Sequence, residues 1–223
     1  MHNRCPTMHN TIRNTPVQTP LATLFLAHGA GAPMDSDFME TISTLLCQRG
    51  CEVVRFEFPY MAERRKSGKK SPPNRTDILL DTWRQVLAEQ CHTLAADRPL
   101  LIGGKSLGGR MASMVADELP VDGLVCLGYP FHPPGKPENL RTEHLQRLTT
   151  PTLIVQGTRD PLGNAQEVSG YALPAGIHMQ WLPDGDHDFK PRVKSGYTQA
   201  QHWEQASDLT FDFIHSLTKK SLV

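Results

Sequence analysis

Short apolar runs alternate along the chain with longer stretches in which apolar residues recur every three or four positions. The runs are Leu21–Ala27, Glu52–Phe58, Leu100–Gly104, Gly123–Leu127, Thr152–Gln156 and His178–Leu182, all rich in aliphatic, aromatic or β-branched residues. They predict six strands. The periodic stretches predict helices over residues 37–49, 76–95 and 198–218, with a fourth starting at Leu107. Their inward faces are Met39, Ile42, Leu45 and Leu46; Leu79, Trp83, Val86, Leu87 and Leu94; Met111, Met114 and Val115; and Trp203, Ala206, Leu209, Phe213 and Leu217. Strand and helix alternating in this way predict a mainly parallel sheet with helices on both faces, as one domain over residues 21–218. Residues 1–20 carry no periodic pattern and read as a flexible leader, with Met8 as an alternative start.

One stretch breaks the rhythm. Residues 62–75, AERRKSGKKSPPNR, hold six basic residues and one acidic one. They read as a solvated loop at the carboxyl end of the second strand, where ligands gather in parallel sheets, and so as a candidate attractor for an anionic substrate.

The chemistry centres on LLIGGKSLGGR, a strand that runs into a glycine-fenced serine and then into a helix. G-x-S-x-G between a strand and a helix is the pattern of an elbow that lifts Ser106 above the sheet on a strained turn. Gly104 and Gly108 remove side chains that the turn has no room for. A serine in this place also suits a helix cap, and glycine-rich turns bind phosphate. The spacing matches neither GxxxxGK[ST] nor GxGxxG after a first strand.

A serine hydroxyl needs an imidazole as base and a carboxylate to fix that imidazole's tautomer. LIVQGTRDPLG places Asp160 after the fifth of these strands, and MQWLPDGDHDF places His187 after the sixth. Serine, acid and histidine in that order, each after its own strand, is the order of α/β-hydrolases. Asp160 as a helix cap, and His187 in a salt bridge or metal site with Asp184, Asp186 and Asp188, are the competing readings. The predicted oxyanion donors are the backbone N–H groups of Leu107 and, from LFLAHGAGAP, of Ala30. His28 reads as a structural histidine rather than a second base. Candidate substrate contacts are His28, Gly29, Tyr60, Arg64, Arg65, Lys105 and Tyr129.

Basic and acidic residues balance at 23 each, so no global field favours nucleic acid or an anionic membrane. The five cysteines, Cys5, Cys47, Cys51, Cys91 and Cys126, form no CxxC pair and read as reduced thiols rather than a disulfide framework or zinc ribbon. With neither an apolar leader nor an 18-residue apolar run, the expectation is a cytoplasmic protein, a monomer or weak homodimer.

HGAGAPMDSDFM, RFEFPYMAERRKSGKK, GGKSLGGRMAS, VQGTRDPLG and DGDHDFKP together resemble small lidless α/β-hydrolases related to dienelactone hydrolase. The narrower resemblance is to bacterial members of the family of testis-expressed protein 30 and the third subunit of the NSL complex. It implies Ser106, Asp160 and His187 as the triad and leaves the substrate open; serine replaces the cysteine nucleophile of dienelactone hydrolase. Acyl transfer through such a triad needs no metal or organic cofactor. The expected activity is hydrolysis of a carboxylic ester or thioester of a small or polar acyl group, because the chain between Leu127 and Thr152 is too short for a helical cap over a long acyl chain. The alternatives are a peptidase and a non-catalytic scaffold with a vestigial triad.

Overall fold

The computed structural model describes residues 9–90 and 97–220, and in it the six apolar runs lie side by side in one sheet. In chain order the strands are β1 (Thr11–Asn14), β2 (Ala22–Ala27), β3 (Cys51–Phe56), β4 (Leu100–Lys105), β5 (Gly123–Leu127), β6 (Thr152–Gly157) and β7 (Ile177–Leu182). Their spatial order is β1-β3-β2-β4-β5-β6-β7, with β2 to β7 parallel and β1 antiparallel to β3. The helices are α1 (Asp37–Gln48), α2 (Pro59–Ser67), α3 (Thr76–Gln90), α4 (Leu107–Val115), the one-turn α5 (Ala165–Val168) and α6 (Gln199–Lys220). The segment linking β5 to β6 holds only a helical turn at His144–Arg147, so no large cap covers the sheet's carboxyl edge.

Every residue of β2, β5 and β6 is buried, which explains their unbroken apolar character: both faces are covered. Alternate side chains feed two cores. Phe25, Phe56, Ile102 and Ile154 pack with Trp83 and Val86 of α3 and Met111 and Val115 of α4. Leu24, Leu26, Val53 and Val155 pack with Met39, Ile42 and Leu46 of α1 and with Phe213 and Leu217 of α6. Ser43 takes an inward position on α1, and Leu45 stays half-buried.

The structure corrects two expectations. Residues 11–14 are not part of a loose leader; they form the edge strand β1, in register from Thr11↔Phe56 to Asn14↔Val53. Polar contacts hold it. Arg13 donates to Glu52 at 3.1 Å, and the buried Arg55 donates to Asn14 Oδ1 at 2.9 Å. The basic stretch begins as a helix rather than a loop. Pro59 sits in its first turn, Gly68 ends it in the left-handed region, and Arg64, Arg65 and Lys66 complement the negative end of its dipole. Only Tyr60 and Met61 of α2 are buried, so no apolar stripe announced it. The expected helix to residue 95 is seen as far as Gln90; residues 91–95, with Leu94 and Cys91, lie outside the described residues, as does Cys5.

Cys51 and Cys126 are buried and Cys47 half-buried, and all three are free thiols. Burial pushes the Cys51 thiol up to about 11 and raises Cys126 as well. Among the described residues no helix is long and apolar enough to cross a membrane.

The carboxyl ends of β2, β4, β5, β6 and β7 open on one edge of the sheet. At its centre, a Cβ on Gly104 would lie 2.5 Å from the Ala27 carbonyl oxygen and 2.7 Å from the Gly108 carbonyl carbon. Gly104→Ala is therefore expected to destabilise the protein by about 2–3 kcal/mol, lowering the melting temperature by roughly 4–12 °C in a thermal scan.

Candidate active site

Ser106 stands at the turn between β4 and α4 with φ 50° and ψ −112°, a conformation that side-chain-bearing residues rarely adopt. Its N–H donates to the Leu127 carbonyl at 2.9 Å, anchoring the strained turn to β5. The half-buried hydroxyl lies 2.8 Å from His187 Nε2, and His187 Nδ1 lies 2.7 Å from Asp160 Oδ2. With Nδ1–H donating to the carboxylate, Nε2 is left to accept the Ser106 proton. Three residues separated by up to 81 positions thus form one hydrogen-bonded line.

Asp160 is fully buried, and its oxygens are satisfied. Oδ1 accepts the Leu162 N–H at 2.8 Å, and Oδ2 accepts Gln156 Nε2 at 2.9 Å as well as His187. Gln156 is itself buried and oriented from both ends. Its Oε1 accepts the Tyr129 N–H at 2.7 Å, and Nε2 also reaches the carbonyls of Tyr129 and Gly163. Sequence reasoning missed this residue. Its signal was a lone amide at the end of the otherwise apolar run TLIVQ.

The His187 loop is built by backbone strain and by its own aspartates. Asp184 and Phe189 have φ of 57° and 61°. Asp184 pairs with Arg192 and Arg159, and the Arg192 guanidinium holds its carboxyl well below the usual carboxylate range. Asp186 Oδ1 accepts the N–H groups of Asp188 and Lys190, each at 2.9 Å. These carboxylates close the turn around His187 instead of pairing with its ring. The loop lies so tightly on β6 that a Cβ on Gly157 would sit 2.3 Å from the Gly185 carbonyl oxygen.

The loop after β2 crosses beside the serine: a Cβ on Gly29 would lie 3.7 Å from Ser106 Cβ. His28 Nδ1 lies 2.7 Å from the Gly29 carbonyl oxygen, and Tyr60 donates its hydroxyl to the Gly29 and Ala30 carbonyls at 3.3 and 3.1 Å. Because a trans peptide points its N–H opposite to its carbonyl, the Ala30 N–H faces away from His28 and Tyr60. Among the described residues neither this N–H nor that of Leu107 has an acceptor. Two free amides from loops flanking the serine are what a developing oxyanion requires.

Several candidate substrate contacts turn inward. His28 is buried, its Nε2 accepting the Phe58 N–H at 3.1 Å, so both ring nitrogens are engaged. Burial pushes its pKa down. Tyr60 and Tyr129 are buried, the latter donating to the Arg141 carbonyl. Arg65 is clamped by Glu57 and Asp35, while Arg64, which forms no ion pair among the described residues, donates to the Gly31 carbonyl. Lys105 is also buried: Nζ donates to the His187 carbonyl at 2.7 Å, lies 3.5 Å from Asp188 and sits 5.8 Å from the Phe38 and Phe189 ring centres. It ties the His187 backbone to β4.

A family model described as an alpha/beta hydrolase domain matches residues 20–215. The chain belongs to this family. Its fold is also that of an alpha-beta serine hydrolase homologue from Coxiella burnetii (18% identity, TM-score 0.66, covering 91% of this chain and 89% of that one). A serine hydrolase without a lid from Xanthomonas campestris is similar at 16% identity and TM-score 0.63, covering 98% and 97%. Dienelactone hydrolase from Anabaena variabilis is similar at 20% identity and TM-score 0.65, covering 89% and 88%.

Two outcomes follow from this geometry. Lys105→Met removes the charged hydrogen bond to the His187 carbonyl, and amide exchange in residues 184–190 should quicken about tenfold or more while α3 and α4 are unaffected, as read by exchange mass spectrometry. His28 has a pKa below its unfolded value, so its contribution is fully present above about pH 6.5 and is lost as pH falls through that value. The melting temperature should drop as pH falls below about 6.5, and the drop should be shallower in His28→Gln.

Proposed function

We propose that the protein is a serine hydrolase that cleaves a carboxylic ester or thioester of a small or polar acyl group through an acyl-enzyme intermediate. The observation that carries this reading is the unbroken line from Ser106 through His187 to the buried Asp160, at 2.8 and 2.7 Å, beneath two unpartnered amides. Ser106 Oγ attacks the acyl carbon as His187 Nε2 takes its proton, and Asp160 stabilises the imidazolium. The Ala30 and Leu107 N–H groups hold the oxyanion, each contributing about 10²–10³ in rate. The protonated His187 then gives its proton to the leaving alcohol or thiol. A water activated by the same ring releases the acid and restores Ser106.

The absence of a large cap between β5 and β6 favours short or polar acyl groups. Ser106 and His187 reach the surface while Asp160 is closed off, which suits an open mouth to the site. The resemblance of the motifs to the family of testis-expressed protein 30 supports the same triad.

Fluorophosphonate labelling followed by intact mass tests the reading. Wild type should gain one adduct, Ser106→Ala none, and Asp160→Asn should lose about 10³–10⁴-fold in kcat. Acetyl and butyryl esters should exceed long-chain esters in kcat/KM. A folded wild type that takes no label would instead identify a scaffold.

A further inference from the structure

The positive charge that the sequence concentrates in residues 62–75 is partly quenched, because Arg65 lies between two carboxylates. Arginines that form no ion pair among the described residues sit on another face, in a cleft that Asp117, Glu118 and Glu143 also line. This cleft, of about 490 Å³, lies between α4 and the chain around His144, and its walls include Arg110, Arg141, Arg147, Ser113 and His144. Arg110 is one helical turn beyond Ser106, its N–H donating to the Ser106 carbonyl at 3.0 Å. Arg141 is fixed at its backbone, its N–H donating to the Phe131 carbonyl at 2.7 Å and its carbonyl accepting the Tyr129 hydroxyl at 2.9 Å.

Both of these side chains are half-buried, and among the described residues no carboxylate forms an ion pair with Arg110, Arg141 or Arg147. The nearby acids are mostly engaged elsewhere. Asp117 accepts the N–H groups of Thr149 and Thr150 and the Thr150 hydroxyl, and Glu118 pairs with Arg84. Glu143 is exposed at the rim. His144 offers no compensation either. Ser113 and Tyr129 already donate to the carbonyls of Arg110 and Arg141, so their hydroxyls accept from His144 Nε2–H at 2.9 and 3.3 Å. Burial and the neighbouring Arg110 push that ring down to about 4, leaving it neutral. Burial, and then the Arg110 charge, lower Arg141 too. Finally, Arg110 Nε is shielded from solvent and has no partner among the described residues, which is costly for a charged donor.

We propose that this cleft is a binding site for an oxyanion group, a carboxylate or a phosphate, held by Arg110 and Arg141 with Arg147 at its rim. A planar guanidinium presents paired donors that match such a group, and one anion between two like charges removes their repulsion while supplying a partner for the fork. The cleft is also wired to the serine site. Tyr129 donates its hydroxyl to Arg141 and its N–H to Gln156, and Gln156 donates to Asp160. The bound group is either the distal end of an ester that reacts at Ser106 or a separate small anion; only the first source rests on the hydrolase reading.

Inorganic phosphate titrated by calorimetry into the Ser106→Ala protein, against chloride at matched ionic strength, tests the site itself. One saturable site is expected, weakened about tenfold in Arg141→Gln and in Arg110→Gln and unchanged in Arg64→Gln. Thermal scans establish that the variants fold, and the exposed Arg147→Gln serves if Arg110→Gln does not. Absence of saturable binding, or equal binding by all variants, overturns the proposal. In wild type, an ester with a terminal carboxylate is compared with its neutral analogue. A KM rise in Arg141→Gln confined to the anionic ester assigns the cleft to substrate. Arginine-dependent phosphate binding with no such split assigns it to a separate anion. If no ester is hydrolysed while phosphate binding remains arginine-dependent, the hydrolase reading fails and the anion site stands.

Discussion

The functional edge of this protein depends on how closely the backbone after β4 approaches the end of β2. A Cβ on Gly108 would lie 2.3 Å from the Ala27 carbonyl oxygen, so only glycine admits the contact. That approach does two things at once. It forces the chain to reverse at Ser106 with φ 50°, which raises the hydroxyl clear of the sheet, and it brings Gly29 alongside Ser106 Cβ. The strain at one serine and the placement of the Ala30 amide are consequences of the same packing. Neither element could relax without moving the other, because interiors at this density repack in discrete steps rather than deform continuously.

The remaining parts are held by polar groups buried at strand ends. Lys105, Gln156 and His28 lie at the ends of β4, β6 and β2, and each directs hydrogen bonds at loop backbone, Gln156 also at the Asp160 carboxylate, rather than at solvent. A buried ammonium carries a large desolvation cost, which lowers the Lys105 pKa, and the His187 carbonyl, Asp188 and two aromatic faces offset part of it. Such a group contributes little to net stability. Its effect is to make one loop conformation much better than the rest, which is what a histidine that must meet both a serine and a carboxylate needs.

The parts of the sequence that were legible are those where burial or covalent geometry dictates residue type. Strands covered on both faces leave unbroken apolar runs, and the elbow leaves glycines at fixed offsets from Ser106. Asp160 could be found because it follows such a strand, β6, and His187 because it follows β7, a weaker signal at the edge of the sheet where polar residues interrupt the apolar ones. Edge strand β1 and helix α2 left no such trace: the first is held by Arg13, Glu52, Arg55 and Asn14, the second by its termini and two buried residues. Side-chain direction was the other blind spot. Tyr60, Arg65, Lys105 and Tyr129 stand near the site in sequence, yet their polar atoms meet carbonyls and carboxylates within the protein. Spacing places a residue at a loop; only the competing acceptors in three dimensions decide which way its head group points.

The same reasoning separates charge density in the sequence from field in the structure. Residues 62–75 are the most basic stretch, but Arg65 meets two acids from other elements and the helix dipole of α2 absorbs part of the charge of its last turn. Arg110 and Arg141 are 31 positions apart and form no run. The β5–β6 connection brings them to one cleft, where Asp117 is bound to threonine amides and Glu118 to Arg84, while Glu143 stands exposed at the rim. Field depends on which charges remain unpaired and how far they are desolvated, so a basic run in the sequence does not by itself locate the place where an anion is held.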